Sequence, residues 1–272
     1  MRYINNIISD HYRTCNICVN LNKALIYNFI SMRLEINIYN IDNNMLTYNY
    51  NESLRGVILE KLRAVNPELS KIYHDDPKHI FNFSQILGRS HSNKYGIHIK
   101  RGILFISSLE NEFISNIIKS FLKNPLFEIN NNGSTTRFAT SNMRIIDNYN
   151  NKSNVKLITL SPIIIKLKDE NKFLAINNES SDSDIDTWVN TLKYSIKSRY
   201  MYFTNDEINN LDIKIDKNDF KTKYIKIKNQ RYLCSDGIID ISAEPKLIRF
   251  INDVGLGMKL KFGFGFMEES NK

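Results

Sequence analysis

The stretch GLGMKLKFGFG, residues 255–265, combines glycines and lysines near the end of the chain. Glycine permits positive φ and close approach of a ligand to the backbone, and successive backbone N–H groups in such a loop can bind an anion. No Gly-Lys-Ser/Thr sequence follows, so the stretch is not a P-loop. A glycine-rich hairpin at a sheet edge is the alternative, and the pattern favours the two equally. The residues of the candidate anion site are Gly255, Gly257, Lys259, Lys261, Gly263 and Gly265.

A second stretch, HDDPKH at 74–79, carries groups that can move protons or hold a metal. An imidazole such as that of His74 exchanges its proton near neutral pH, although a histidine at a helix end can also cap the last carbonyls. The His-Asp doublet resembles part of a metal-dependent phosphohydrolase site, which needs further ligands on neighbouring helices. His11 is the only histidine before His74, and no second constellation follows. We therefore expect no metal site and no cofactor, and we interpret the two aspartates as a solvated helix exit.

Composition restricts the class of protein. The chain has 272 residues, of which 42% are hydrophobic and 24% charged, as in globular proteins. The formal net charge of +8 favours a polyanionic partner, nucleic acid first. Of three cysteines only Cys15 and Cys18 are close together, which argues against a disulfide framework and favours a reducing cytoplasm. The apolar runs are too short to span a bilayer, so we expect no membrane partner.

The hydrophobic pattern divides the chain into three parts. Residues 1–31 are a polar, Asn-rich extension that could be a mis-assigned start, since Met32 opens the alternating strand MRLEINIYN. Residues 32–150 predict the order β-α-β-β-α-β, with one helix over NESLRGVILEKLRAVNPELSKIYHD. Residues 151–272 repeat this order loosely, with a helix over SDIDTWVNTLKYSIKSRYMYF. The predicted fold is α+β, with two tandem ferredoxin-like (RRM-like) domains and a C-terminal glycine-rich loop.

The glycine stretch, preceded by RFINDV, resembles the C-terminal motif of the CRISPR repeat-cleaving endoribonucleases, the sixth Cas family. The family pattern is Gly-hydrophobe-Gly, a short insert that often carries Lys, and a second Gly-hydrophobe-Gly. LRGVILEKLRAVNPELSKIYHDD is similar to the family's first helix and histidine segment, and VKLITLSPIIIKL is similar to the opening of its second domain. The resemblance covers residues 32–267.

The resemblance implies metal-independent cleavage of precursor CRISPR RNA within each repeat. A 2′-hydroxyl attacks the adjacent phosphate and leaves a 2′,3′-cyclic phosphate and a 5′-hydroxyl, which requires a base, a cation and an acid. His74 lies where the family usually keeps its histidine, Lys78 where it often carries a catalytic lysine, and His79 is the candidate second proton carrier. The family's helix tyrosine aligns with Leu59, a departure that leaves a non-catalytic crRNA-binding subunit of an effector complex as the alternative.

RNA binding would also use basic residues outside the glycine loop. In KTKYIKIKNQR the alternation predicts that Lys226 and Lys228 share one strand face, with Tyr224 and Ile225 flanking, as a phosphate track, and Arg231 is a further candidate. A solvated outer face is the equally weighted alternative. Further candidates are Arg89, Lys94, Lys100, Arg101 and Lys223. The expected partners are CRISPR repeat RNA (pre-crRNA), Cas effector-complex subunits and, as an open alternative, a second copy in a homodimer.

Overall fold

A computed structural model describes residues 32–146, 151–167 and 172–270, so the N-terminal extension with Cys15 and Cys18 lies outside the described residues. The described α-helices are α1 Asn51–Arg63, α2 Pro67–Asp75, α3 Asn111–Lys123, α4 Asp182–Thr204 and α5 Pro245–Val254. Within these ranges no helix is long and apolar enough to cross a membrane.

The first sheet is antiparallel and carries the first hydrophobic core. The strands up to residue 146 are β1 Met32–Asn40, β2 Phe81–Phe83, β3 Ser90–Asn93, β4 Gly96–Ile99, β5 Arg101–Ser108, β6 Leu126–Asn131 and β7 Ser134–Ile146. The sheet order is β2-β5-β1-β7-β6, and β3 and β4 form a separate hairpin. Apolar residues of β1, α1 and α3 make one buried cluster between the sheet and the helices.

The second sheet repeats this arrangement with its own core. The remaining strands are β8 Asn154–Thr159, β9 Ile165–Lys166, β10 Phe173–Leu174, β11 Leu211–Lys214, β12 Lys221–Ile227, β13 Gln230–Asp236, β14 Ile238–Ala243 and β15 Met267–Glu269. The sheet order is β11-β14-β8-β15, and β12 and β13 form a hairpin outside it. In both sheets the first and third strands of the β-α-β-β-α-β unit lie in the middle, so the predicted tandem ferredoxin-like fold is confirmed. The boundary expected at residue 150 lies outside the described residues and stays a prediction.

The helix predicted over residues 51–75 is wrong in one respect, because the chain breaks it into α1 and α2. The side chain of Asn66 accepts a hydrogen bond from the Leu69 amide at 3.0 Å, and Pro67 occupies the first turn of α2. Asn at the N-cap followed by Pro at the first helical position is a helix start, not a helix interior. The helix α2 ends at Asp75, inside the HDDPKH stretch.

The strands go beyond the predicted β-α-β-β-α-β order in both domains. In the first domain β3 pairs with β4 as a separate hairpin, and β6 extends the sheet beside β7. In the second domain β12 and β13 add a hairpin. The strand β8 ends at Thr159, shortly before Pro162, which has no N–H to donate to a ladder.

Residues 253–267 of the second domain, here called the interdomain segment, pack against the first domain. Its carbonyls accept hydrogen bonds from three first-domain side chains: Ser107 to Asp253 at 2.7 Å, Asn82 to Val254 and Phe264 at 3.0 Å each, and Asn51 to Phe262 and Gly263 at 3.0 and 3.1 Å. Arg33 donates to the Met267 carbonyl and lies over the Phe266 ring. Because buried backbone acceptors need donors, these side chains join the two domains.

Protein atoms, rather than open space, surround the glycines of this segment. Gly265 has φ +63°, and a Cβ there would lie 1.7 Å from the Leu256 carbonyl oxygen. Gly263 has φ +69°, and a Cβ there would lie 2.3 Å from the Phe83 ring. The glycines are therefore required by the close approach of the protein to itself, whatever else the loop binds.

We predict that Gly265→Ala destabilises the protein more than Gly133→Ala. Gly133 also has positive φ, at +76°, but nothing lies within 4 Å of its Cβ position, so alanine there should cost only the backbone strain of about 1–2 kcal/mol. At Gly265 the overlap with Leu256 adds roughly 1–3 kcal/mol. Urea unfolding of both variants measures the difference, and equal losses of unfolding free energy would contradict it.

Candidate functional site

His74 lies in the last turn of α2, with its side chain 59% exposed. Its Nδ1 lies 2.6 Å from Oδ1 of Asp75, and this hydrogen bond lowers the pKa of the Asp75 carboxyl below its ordinary value. The other ring nitrogen is on the imidazole edge away from Asp75. An exposed imidazole with a carboxylate on one nitrogen can accept a proton from a substrate at the other.

His79 is held more firmly in the turn that follows α2. Its Nδ1 lies 2.6 Å from Oε1 of Glu110, its Nε2 lies 4.0 Å from Oδ2 of Asp76, and its ring centroid lies 5.5 Å from that of Tyr73. Lys78 is exposed, and its backbone amide donates to Oδ1 of Asp76 at 2.8 Å. The turn thus presents the His79 imidazole and the exposed Lys78 side chain close together in the chain.

No tyrosine replaces the missing helix phenol at this site within the described residues. Leu59, at the aligned position, is 8% exposed and belongs to the first core. The Tyr73 hydroxyl is buried and lies 3.0 Å from Oγ of Ser108, and burial raises its pKa well above the ordinary value. Leu59 carries no phenol, and the buried Tyr73 hydroxyl is not accessible to a substrate.

Lys261 connects the glycine stretch to the histidine stretch. Its Nζ donates to the carbonyl oxygens of Tyr73 at 2.8 Å and Asp76 at 2.7 Å, on either side of His74. Burial lowers the pKa of the Lys261 ammonium, and the nearby Arg55 guanidinium lowers it further. Two motifs more than 180 residues apart in the sequence are therefore in contact. The sequence predicts that Lys261 binds phosphate, but its ammonium donates to carbonyl groups of the protein itself.

The remaining residues of the glycine stretch differ in solvent exposure. Gly255, Gly257, Gly263 and Gly265 are buried. Lys259 is exposed, with Nζ 5.9 Å from the Tyr232 ring centroid and 5.7 Å from that of Phe262. Lys259 is thus the cation of this stretch that faces solvent.

Sequence reasoning missed Arg55, which lies on α1 with its Cζ 4.8 Å from the Phe262 ring centroid. The guanidinium is half-buried, and burial lowers its pKa. No local pattern marks Arg55, because its neighbours Phe262 and Lys261 come from the far end of the chain. Only the docking of the two domains brings them together.

The β12–β13 hairpin has one apolar face and one basic face. Ile225, Ile227 and Tyr232 are buried in a cluster with Phe264 of the interdomain segment. On the opposite face Lys226 pairs in register with Arg231, whose Cζ lies 5.1 Å from the exposed Tyr224 ring, and all three side chains face solvent.

Lys228 does not share the strand face of Lys226, so that prediction is wrong. The strand β12 ends at Ile227, and Lys228 lies in the following turn with φ +51°. Its Nζ lies 3.6 Å from Oε1 of Glu52 in the first domain. The error has a simple cause, because a tight turn interrupts the period-2 alternation on which the prediction depended.

A second hairpin, β3–β4, approaches the same region from the first domain. Leu46 forms a bridge with Ile97 of this hairpin, and the Tyr48 hydroxyl donates to the Asn93 carbonyl at 2.7 Å. Asn49, in the same loop, accepts a hydrogen bond from the Lys226 amide at 2.8 Å. The four basic residues predicted at this hairpin are exposed: Arg89, Lys94, Lys100 and Arg101. Lys223 instead pairs with Asp236.

The His-Asp doublet pairs His74 with Asp75. Across residues 32–146, 151–167 and 172–270, no group of three or more His, Cys, Asp or Glu side chains is placed to hold a metal ion. The carboxylates near the two histidines pair with them one by one, as Asp75 does with His74 and Glu110 with His79.

We predict that Lys261→Met loosens the histidine stretch while Lys259→Met does not. Methionine keeps much of the side-chain length but removes the ammonium that donates to the Tyr73 and Asp76 carbonyls, which costs about 1–3 kcal/mol. Hydrogen exchange of the Asp76 and His79 amides, which bond to Ile72 and Asp76, should accelerate in Lys261→Met alone. The same protection in both variants would show that Lys261 does not hold this segment.

Comparison with known proteins places this geometry in a family. Residues 45–144 match the family described as CRISPR-associated protein Cas6, N-terminal, and residues 145–269 match CRISPR associated protein Cas6, C-terminal. CRISPR-associated endoribonuclease Cas6 1 of Methanocaldococcus jannaschii is 29% identical over 248 residues, covering 87% of this chain and 92% of that protein. A solved structure titled CRISPR associated protein Cas6 has a TM-score of 0.70 and 28% identity, covering 89% of this chain and all of that one. Another, from a Cas6-related gene of Pyrococcus furiosus, shares the fold with a TM-score of 0.74 at 23% identity, covering 89% of this chain and 99% of that one. Since the two family matches follow one another without a gap through both ferredoxin-like units, the chain belongs to the Cas6 family.

Proposed function

We propose that the protein is an endoribonuclease that cuts precursor CRISPR RNA inside its repeats. The observation that carries the proposal is the meeting of the two sequence motifs at Lys261, whose ammonium binds the carbonyls of Tyr73 and Asp76. This contact puts the histidine stretch beside the interdomain segment. A site between two domains, with proton-transfer groups and cations together, suits phosphodiester cleavage.

The proposed reaction is attack of a 2′-hydroxyl on the adjacent phosphorus. The new bond joins the 2′-oxygen to phosphorus, and the bond to the 5′-oxygen breaks, which leaves a 2′,3′-cyclic phosphate and a 5′-hydroxyl. His74 accepts the 2′-proton, because its exposed ring is accessible to substrate. His79, oriented by Glu110, donates a proton to the departing 5′-oxygen. Since side chains supply the base, the acid and the cation Lys78, the mechanism requires no metal ion.

The RNA would cross the face on which the two hairpins converge. Lys226 and Arg231 present charge beside the exposed Tyr224 ring, on which a base can stack. Lys259 continues this charge toward the histidine stretch, and the β3–β4 hairpin adds further exposed cations. The glycines contribute by shaping the interdomain segment that holds Lys259.

A crRNA-binding subunit without cleavage is the second candidate, and one observation favours it. The family's helix tyrosine is replaced by the buried Leu59, so one proton carrier of the usual set is missing. Cleavage by purified protein separates the two functions. Association with effector-complex subunits or with a second copy stays a prediction, as does a cytoplasmic location.

We predict that the purified protein cuts a labelled repeat RNA in EDTA and does not cut the same RNA carrying a 2′-deoxy nucleotide 5′ of the cleavage site. Removing the 2′-hydroxyl removes the attacking group, whereas chelation removes nothing that the proposed reaction uses. Gel analysis of the products, with treatment by a phosphatase that opens cyclic phosphates, identifies the ends. Cleavage that starts only when Mg²⁺ or Mn²⁺ is added would contradict the metal-independent mechanism.

We predict that His74→Ala and His79→Ala each slow single-turnover cleavage by roughly 10²–10⁴-fold, the usual contribution of a general acid or base. RNA affinity should change little, because these residues act on protons rather than on phosphate charge. His91→Ala is the matched control, since His91 is exposed on the β3–β4 hairpin. A wild-type rate in His74→Ala would remove that residue from the site, and a wild-type rate in His79→Ala alone would leave solvent as the second proton carrier.

A further inference from the structure

Arg55 has hydrogen-bonding capacity that the described protein does not use. Its Nε is buried, and no described side chain or carbonyl accepts a hydrogen bond from it. The guanidinium lies over the Phe262 ring, with Cζ 4.8 Å from the centroid. A planar guanidinium on an aromatic ring has its orientation restricted while its N–H fork stays free, which is the geometry that binds phosphate through two oxygens.

The charge around Arg55 also favours an anion. Arg55 lies over the ring of Phe262, the residue that follows Lys261, and its positive charge lowers the pKa of the Lys261 ammonium in addition to the larger effect of burial. The Glu52 carboxylate raises the pKa of Arg55, but its Oε1 also lies 3.6 Å from Nζ of Lys228. The carboxylates of Asp76 and Asp75 raise the pKa of Lys261, and Asp75 is already paired with His74. An anion that bound Arg55 would relieve the repulsion between the two cations.

The Arg55 guanidinium is positioned by the same segment that holds the histidine stretch. Phe262 and Lys261 are consecutive, and Lys261 binds the carbonyls on either side of His74. Arg55 therefore lies beside the part of the interdomain segment that contacts the histidine stretch. Lys78 has no comparable support, because it is exposed on a turn and only its backbone is held.

We infer that Arg55 binds the scissile phosphate of the RNA and stabilises the negative charge that develops on it during cleavage. The inference rests on the proposed function, and it assigns to α1 a catalytic residue that neither motif contains. Lys261 positions the loop, Arg55 binds the phosphate, and the histidines move the protons.

Single-turnover cleavage of repeat RNA tests the rate effect. Arg55→Met should slow cleavage by about 10²–10³-fold, as removal of one transition-state donor does, while Arg55→Lys should recover part of the rate because it keeps the charge. Arg63→Met is the matched control, since Arg63 is exposed in the last turn of the same helix. Thermal unfolding of each variant identifies any loss of folding, and a wild-type rate in a folded Arg55→Met protein would overturn the inference.

A binding cycle tests the contact without requiring cleavage. The RNA carries a 2′-deoxy nucleotide, and the scissile phosphate is either intact or replaced by a neutral methylphosphonate. Arg55→Met should weaken binding of the intact RNA by about tenfold, the size of one charge-assisted contact, and should not weaken binding of the methylphosphonate RNA. Equal losses for both RNAs would place Arg55 away from that phosphate. If wild-type protein fails to cut, the proposed function fails, and the same cycle applied to each repeat phosphate in turn still decides whether Arg55 binds one.

Discussion

Carbonyl groups of Asp253, Val254 and Phe264 in the second domain accept hydrogen bonds from side chains of the first domain, so these bonds form only when the two domains dock. Asn51, Asn82 and Ser107 lie on three different elements of the first domain, and each donates to this segment of the second. An unpaired buried acceptor costs about 1–3 kcal/mol, so separation of the domains would leave several such groups to be solvated at once. Apolar contacts act in the same direction, since Phe83 lies against Gly263 and Phe105 stacks on Phe266.

The candidate site depends on this docking more than on any local fold. His74 and His79 belong to the first domain, Lys259 and Lys261 to the second, and Lys261 reaches the end of α2 only through the interdomain segment. The hairpin β12–β13 is placed by the same contacts, because its apolar face packs on Phe264. A substitution at the domain interface should therefore alter RNA binding and proton transfer together, even when the substituted residue contacts neither the RNA nor the histidines.

Local patterns predict the elements well where one signal dominates. The helix α4 is predicted from its apolar pattern and the structure confirms it, although its N-cap is Ser181, before the predicted start at Ser183. The break between α1 and α2 had a signal too, in Asn66 and Pro67, but a continuous apolar period masked it. The sequence gives no signal for the residues that contact the glycines. A glycine that lies against a ligand and a glycine that lies against Phe83 or Leu256 have the same sequence pattern. What the sequence lacks is the long-range contact, and Arg55 was missed for that reason.

Net charge illustrates the same limit, because burial divides the cations into two populations. Arg33 is buried and Arg199 is half-buried, and burial lowers the pKa of each to about 10. Their guanidinium groups donate to the Met267 and Gly257 carbonyls, so they stabilise the interdomain segment. Only exposed cations release counterions from a phosphate backbone. The salt dependence of RNA binding should therefore reflect residues such as Lys226, and the formal charge of +8 overstates the charge that RNA can reach.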